Sequence, residues 1–271
     1  MEFRPGAKYL QVKVATKDQG LWAKRARELG ALETFYDQAQ EIFILTFEAS
    51  NINETLRRIL DAFPEADILE AGLSSAPRPA GYRKVYTKDL IIVSPGPEVE
   101  PRPGEVIIRS NLSFGSGYHP TTELSIKLIP EAFALAPIKT VFDLGTGSGI
   151  LALCAARLGA ERILAADIDY RACKEALHNV SLNQARHQIL VVCGSYDVAR
   201  PKGFDLLLAN LTIGVMTGLA PSFPDLVKEG GLAILSGFTS GQVPEVLAAL
   251  GQGKVIKEMN LEGWAGLLIA F

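Results

Sequence analysis

The sequence predicts an α/β protein in which a doubly wound parallel sheet ends in an antiparallel hairpin, preceded by a small ferredoxin-like α+β domain. In the C-terminal part, nearly continuous apolar strands alternate with amphipathic helices, which is typical of a parallel sheet covered on both faces. Two final strands joined through Glu262 and Gly263 indicate the hairpin. The first third has the order β-α-β-β-α-β. We therefore expect a domain at residues 1–74, a linker at 75–104 and the main domain at 105–271.

Composition places the chain among ordinary globular proteins. Its 271 residues are 48% hydrophobic and 21% charged, which excludes disordered and fibrous classes. The formal net charge of −3 argues against direct binding of nucleic acid over a broad basic surface. The three cysteines form no CxxC pair, so neither a disulfide framework nor a zinc site is indicated. Because we find no signal peptide and no apolar run of about 18 residues, we expect a soluble, cytoplasmic protein without membrane association.

The N-terminal domain is expected to recognise a substrate or to pack, since it contains no obvious catalytic constellation. Its strands are expected at residues 9–14, 32–36, 42–47 and 68–73. A helix capped by Asp18 should follow the first strand, and a second helix should bury Leu56, Ile59, Leu60 and Phe63. The linker at 75–104 carries six prolines, which predict a semi-rigid segment with little regular structure.

The main domain has a regular alternation of strands and helices. Strands are expected at residues 140–144, 163–166, 189–193, 205–209 and 232–236, followed by hairpin strands at 255–260 and 265–271. Helices are expected at about 148–158, 170–183, 213–228 and 241–250. Open sheets of this kind bind ligands beyond the carboxyl ends of their strands, so residues that follow the strands are the first candidates for a site.

A glycine-rich turn follows the first strand of the main domain. Gly145, Gly147 and Gly149 give GxGxG, not the GxGxxG of a pyrophosphate-binding turn. Glycines at a strand-to-helix turn let a ligand approach the backbone and its exposed N–H groups closely, although a tight turn alone would need the same residues. Asp143, two residues earlier, adds a negative charge that suits an ammonium group better than a phosphate.

Two polar residues end neighbouring strands. Asp167 lies about 20 residues after the glycine turn, where an acidic side chain can accept hydrogen bonds from both ribose hydroxyls. Asp169 could do the same, but we expect it to cap the next helix. Asn210 ends the fourth strand beside the topological switch point, and its alternative role is also that of a helix cap.

A second glycine-rich segment, residues 114–123, leads into a helix that has Pro120 in its first turn. The hydroxyls of Thr121 and Thr122 can bind a carboxylate there or cap the helix. We expect His119 to be structural, because we identify no nucleophile paired with it. The three histidines lack ligand spacing, so no metal site is expected.

Five segments, in order, resemble a known family: FGSGYHPTTELS, FDLGTGSGILALCAARLGAERILAADID, DLLLANLT, LSGF and EGWAGLL. The chain is similar to the bacterial methyltransferases of large-subunit ribosomal protein eleven, the PrmA family. The resemblance implies a class I methyltransferase domain, and contacts of S-adenosylmethionine with Thr122, Gly145, Asp167 and Asn210. The glycine turn adds Gly147 to these cofactor-binding residues.

The resemblance also implies an N-methyltransferase that modifies lysine ε-amines and an N-terminal α-amine of a ribosomal protein. We expect Asn210 to position the amine and assign no general base. Alternatives are a methyltransferase of another protein, of RNA or of a small molecule, a nicotinamide oxidoreductase, and a cofactor-binding regulator without activity. The GxGxG spacing and the terminal hairpin disfavour the oxidoreductase.

Overall fold

The computed structural model describes residues 8–15, 25–26, 28–31, 33–37, 42–48, 52–62, 67–75, 82–95, 101–109 and 119–271. The chain divides into two compact units, residues 1–79 and 80–271. Most of the helix expected after Asp18 and residues 114–118 of the second glycine-rich segment lie outside the described residues.

The first unit contains a four-stranded antiparallel sheet. Its elements are β1 (Lys8–Ala15), β2 (Glu33–Asp37), β3 (Ile42–Glu48), helix α1 (Ile52–Ala62) and β4 (Asp67–Ser75). The strand order is β2-β3-β1-β4, and each neighbouring pair is antiparallel. The strand order and the antiparallel pairing are those of the sheet expected for a ferredoxin-like domain, and the assignment of the whole domain stays a prediction.

Apolar residues at period two form the core of this unit. Leu10, Val12 and Val14 lie on one face of β1 and are buried together with Ile59 of α1. The sequence pattern also places Leu60 on the buried face of the helix, but its side chain is 49% exposed. Adjacent residues of a helix point about 100° apart. The face of α1 that packs against the sheet includes Ile59 but not Leu60.

The segment expected to be a linker forms regular structure. Strands β5 (Tyr82–Val85), β6 (Ile91–Ser94) and β7 (Val106–Ile107) make a three-stranded sheet within the second unit. Leu90 and Ile92 are fully buried in the core of that unit. The prediction of little regular structure at 75–104 therefore differs from the structure, because burial of the apolar run at Leu90 and Ile92 outweighs the local effect of Pro95, which directly follows β6.

The second unit is built on a seven-stranded sheet with the order β10-β9-β8-β11-β12-β14-β13. Its strands are β8 (Thr140–Leu144), β9 (Arg162–Asp167), β10 (Ile189–Cys193), β11 (Phe204–Asn210), β12 (Val227–Thr239), β13 (Lys254–Leu261) and β14 (Trp264–Ala270). Strands β8 to β12 pair in parallel, while β14 is antiparallel to both β12 and β13. The predicted parallel sheet with a terminal hairpin is thus present. Strands β8, β9 and β10 are added towards one edge of the sheet and β11 and β12 towards the other, so the topological switch point lies between β8 and β11.

Helices cover both faces of this sheet. They are α2 (Pro120–Leu135), α3 (Ile150–Arg157), α4 (Tyr170–Leu182), α5 (Ile213–Leu219), α6 (Phe223–Leu226) and α7 (Val243–Leu250). Successive strand residues point to opposite faces, so Val141 belongs to one core layer and Phe142 to the other. The single helix predicted at 213–228 is wrong: Pro221 and Pro224 divide it into α5, a 3₁₀ turn and α6.

Candidate functional site

The glycine turn lies between β8 and α3. Gly145, Gly147 and Gly149 have φ angles of +72°, +56° and +83°, a region that other residues rarely adopt. A Cβ atom on Gly145 would lie 2.4 Å from Leu211, whereas a Cβ atom on Gly147 would meet nothing within 4 Å. The backbone at Gly147 therefore borders open space, as expected of a turn that a ligand approaches closely.

Asp167, at the carboxyl end of β9, holds this turn in place. Its Oδ2 accepts a hydrogen bond from Gly147 N at 3.0 Å, and its Oδ1 accepts one from Asp169 N at 2.9 Å. Asp169 caps α4 by accepting from Arg171 N at 2.8 Å, which confirms the role expected for it. A carboxylate has more acceptor positions than these two bonds use, so Asp167 can still accept from further hydroxyl groups.

Asp143 has a different position from the one expected. It is 1% exposed, and its Oδ2 accepts from Thr146 Oγ1 at 2.6 Å and from Ala152 N at 3.1 Å. Burial raises the pKa of Asp143 to about 7, although these two hydrogen bonds oppose the rise. The expectation that Asp143 offers a charge to a ligand is therefore wrong: the group lies beneath the turn and fixes it to α3.

Asn210 and Thr122 meet at the switch point between β8 and β11. Asn210 Nδ2 donates to Thr122 Oγ1 at 3.2 Å, which joins the end of β11 to the first turn of α2. Thr122 is 2% exposed, and Asn210 is half-buried. Asn210 does not cap α5, whose N-terminal cap residue is Thr212.

The cap of α2 is His119, not a threonine. Its Nδ1 lies 2.8 Å from Thr121 Oγ1 and accepts from Thr121 N at 3.4 Å. The imidazole makes an edge-on contact with Trp264, with ring centroids 4.8 Å apart. Burial lowers the pKa of His119, and the charge of Glu262 opposes that shift. The contact with Trp264 brings the HPTT segment and the terminal EGWAGLL segment together in space.

Two features of the site were not predicted from the sequence. A Cβ atom on Gly237 would lie 2.1 Å from Leu211 O, so only glycine allows the segment after Asn210 to pass over β12. The LSGF segment contains this glycine, but the sequence alone does not predict that its backbone lies close to the backbone of Leu211. Ile168, directly after Asp167, is 79% exposed, which is unusual for a large aliphatic side chain. An apolar residue directly after a strand-terminal aspartate is the signal that could have identified it.

Among the residues that the structure describes, no group of three or more His, Cys, Asp or Glu side chains could hold a metal ion. The same part of the chain contains no helix that is long and apolar enough to cross a membrane.

Comparison with known proteins decides the family. The model of the ribosomal protein L11 methyltransferase family (PrmA) matches residues 81–270. The chain belongs to this family. A PrmA relative from Desulfitobacterium hafniense is 34% identical over 79% of this chain and 71% of its own length. Another, from Streptococcus equi subsp. zooepidemicus, is 30% identical over 94% of this chain and 86% of its own length.

A solved structure agrees with this assignment. The ribosomal protein L11 methylase of Lactobacillus delbrueckii subsp. bulgaricus has 31% identity and a TM-score of 0.61, covering 69% of this chain and 97% of that one. Membership of the PrmA family confirms three predictions: the class I methyltransferase fold, an S-adenosylmethionine-dependent enzyme, and methylation of protein as its activity.

Proposed function

We propose that this protein transfers methyl groups from S-adenosylmethionine to amines of ribosomal protein L11. The observation that carries the proposal is the contact between Asn210 and Thr122, which unites two family segments at the switch point of the sheet. The names of its relatives supply the substrate, since they are ribosomal protein L11 methyltransferases.

The residues at the carboxyl edge of the sheet fit the cofactor. The open space at Gly147 leaves room for a ligand against the backbone, and Asp167 has acceptor positions for ribose hydroxyls. Ile168 offers an exposed apolar surface next to Asp167, which suits the flat face of an adenine. We propose that Gly145, Gly147 and Asp167 hold the cofactor from this side and that Thr122 and Asn210 hold it from the other. When bound, S-adenosylmethionine supplies an electrophilic methyl group on a sulfonium.

Asn210 is also the proposed positioning group for the amine. Its Nδ2 is used by Thr122, and no described residue donates to its Oδ1. That oxygen can therefore accept an N–H bond and direct the nitrogen lone pair, a proximity effect. The amine must be neutral to attack, whereas the pKa of lysine is ordinarily about 10.4. Desolvation disfavours the ammonium form and lowers that pKa, so that the amine loses its proton before it attacks. We assign no general base.

The first unit is the proposed recognition domain for the protein substrate. The expected boundaries, 1–74 for this domain and 105–271 for the catalytic one, remain a proposal, with residues 80–104 grouped with the second unit. A truncated protein tests this division. Because a start within the expected linker, near Pro95, would remove β5 and β6 from the second unit, the truncated protein should begin near residue 80. It should still bind S-adenosylhomocysteine but fail to methylate folded L11.

Labelling tests the class of substrate. Incubation of the protein with methyl-labelled S-adenosylmethionine and a bacterial lysate should place label in one protein band, with the mobility of L11. Label in RNA or in a small metabolite, with L11 unlabelled, would overturn the proposal in favour of another methyltransferase.

A further inference from the structure

We infer that Asn179 is a positioning residue for the cofactor, because its carboxamide connects the glycine turn to the strand segment before the second glycine-rich loop. The inference rests on the proposed function, since it takes the turn at Gly145–Gly149 as part of the S-adenosylmethionine site. Nothing in the sequence pattern distinguishes this asparagine from its neighbours on α4.

Asn179 lies on α4 and is 0% exposed. Its Nδ2 donates to Ser148 O at 2.9 Å, and its Oδ1 accepts from Arg109 N at 2.9 Å. Both ends of the carboxamide are thus used by backbone groups of two other segments. Since a buried polar group that loses its partner is destabilised by its full desolvation penalty, the two bonds hold Ser148 and Arg109 at fixed positions relative to α4.

The glycine turn is held from two sides. Asp167 accepts from Gly147 N, and Asn179 donates to the carbonyl of the next residue, Ser148. Helix α4 also packs closely here, because a Cβ atom on Gly149 would lie 3.3 Å from Ala176 Cα. Loss of the Asn179 bond removes the hydrogen bond to the carbonyl of the Ser148–Gly149 peptide, while the N–H of that peptide still donates to Thr146 O at 2.9 Å. The turn is then held less tightly on this side, and we expect the position of Gly147 N, one residue earlier, to shift.

Asn183, the C-terminal cap residue of the same helix, provides a control. One turn after Asn179, its Nδ2 donates to Ile107 O at 2.7 Å and its Oδ1 accepts from Ile107 N at 2.8 Å. It therefore holds the strand segment that Asn179 also holds, and its Nδ2 donates in addition to the backbone oxygen of Asn179 at 2.8 Å. The described hydrogen bonds of Asn183 do not include one to the glycine turn. Comparison of variants at Asn179 and Asn183 therefore distinguishes a general contribution to stability from positioning of the glycine turn.

The test compares Asn179→Leu with Asn183→Leu, which replace the amide by an apolar group of similar size. Both variants should unfold at lower urea concentrations than the wild-type protein. Asn179→Leu should weaken S-adenosylhomocysteine binding by about tenfold in calorimetric titration and shift the Gly147 amide resonance, whereas Asn183→Leu should bind within about twofold of wild type. Equal affinities for both variants would overturn the inference. A wild-type protein that fails to bind would instead overturn the proposed function.

Hydrogen exchange on the wild-type protein gives a second test, which decides the matter if Asn179→Leu does not fold. Saturation with S-adenosylhomocysteine should slow exchange of the Arg109 amide, which Asn179 binds, more than that of the Ile107 amide, which Asn183 binds. Equal slowing of both amides, or no change at Arg109, would contradict the positioning role.

Discussion

The side-chain amide of Asn210 donates to the hydroxyl of Thr122 across 88 residues of chain. Asn210 ends the central strand β11, and Thr122 lies in the first turn of the long helix α2. The bond therefore holds both residues at the carboxyl edge of the sheet. Because Thr122 uses Nδ2, the orientation of the whole carboxamide is set, and with it the direction of Oδ1. The geometry connects a buried threonine to the group proposed to position the amine.

A double-mutant cycle tests this relationship. Asn210→Ala should reduce turnover on L11 by more than about tenfold if its bond strengthens in the transition state, since each factor of ten corresponds to about 1.4 kcal/mol. Thr122→Val replaces the hydroxyl by a methyl group of similar size and should reduce turnover less. The double variant should be no slower than Asn210→Ala. Thr217→Val, which alters a hydroxyl bonded within α5, is the control. Strictly additive losses would show that the two side chains act independently.

Asp167 and Asp169 should separate cofactor binding from helix capping. Asp167→Ala should weaken S-adenosylhomocysteine binding by about 1–3 kcal/mol, as expected for the loss of hydrogen bonds to a charged group. Asp169→Ala removes the cap of α4 and should lower the free energy of unfolding by about 0.5–2 kcal/mol, with little change in affinity. Calorimetric titration and urea unfolding measure the two quantities. A larger loss of affinity in the Asp169 variant would reverse the roles assigned here.

Gly147 and Gly159 form a matched pair for the close approach of a ligand. Both have positive φ angles, +56° and +107°, and a Cβ atom on either would meet nothing within 4 Å. Alanine at either position should lower stability by about 1–2 kcal/mol, the usual penalty for a left-handed residue. Only Gly147→Ala should also reduce cofactor affinity, by about tenfold or more, because its methyl group occupies the space beside the turn. Unchanged binding by Gly147→Ala would show that the cofactor does not approach there.

The buried Asp143 should make stability depend on pH. Between its usual pKa of 3.8 and the raised value of about 7, the folded protein holds a proton on this group that the unfolded chain has lost. The contribution of Asp143 to the free energy of unfolding therefore falls as pH rises through this interval. Asp143→Asn keeps an acceptor for Thr146 and Ala152 without the charge, so its stability relative to wild type should be greater at pH 8 than at pH 5. Urea unfolding at both values measures this, and an equal difference at each pH would contradict the raised pKa.

Strand periodicity and topology predicted much of the candidate site. Because parallel strands present their carboxyl ends at one edge, the sequence alone places Gly145, Asp167 and Asn210 near one another. The burial of Asp143 could not be predicted, since it depends on how the first turn of α3 folds back over the carboxyl group. The same holds for the contact between His119 and Trp264, which joins the N-terminal cap of α2 to the end of the chain.

Departures in the fold have two different physical causes: tertiary burial outweighs the local signal in one segment, and prolines interrupt a helix in another. The prolines of residues 75–104 predicted a linker, yet Leu90 and Ile92 are buried and the strands around them pair. The helix predicted at 213–228 follows an apolar pattern that α5 and α6 both satisfy, and Pro221 and Pro224 interrupt it where the chain turns into β12.

The intact mass of purified ribosomal protein L11, measured after incubation with the enzyme and S-adenosylmethionine, tests the central claim most directly. The wild-type enzyme should add one or more methyl groups, which peptide mapping should assign to lysine side chains or the N-terminal amine, and the rate should rise with pH as the neutral amine becomes more abundant. Asn210→Ala should leave most of the substrate unmodified under the same conditions. An unchanged mass of L11 with an enzyme that binds the cofactor would contradict the account.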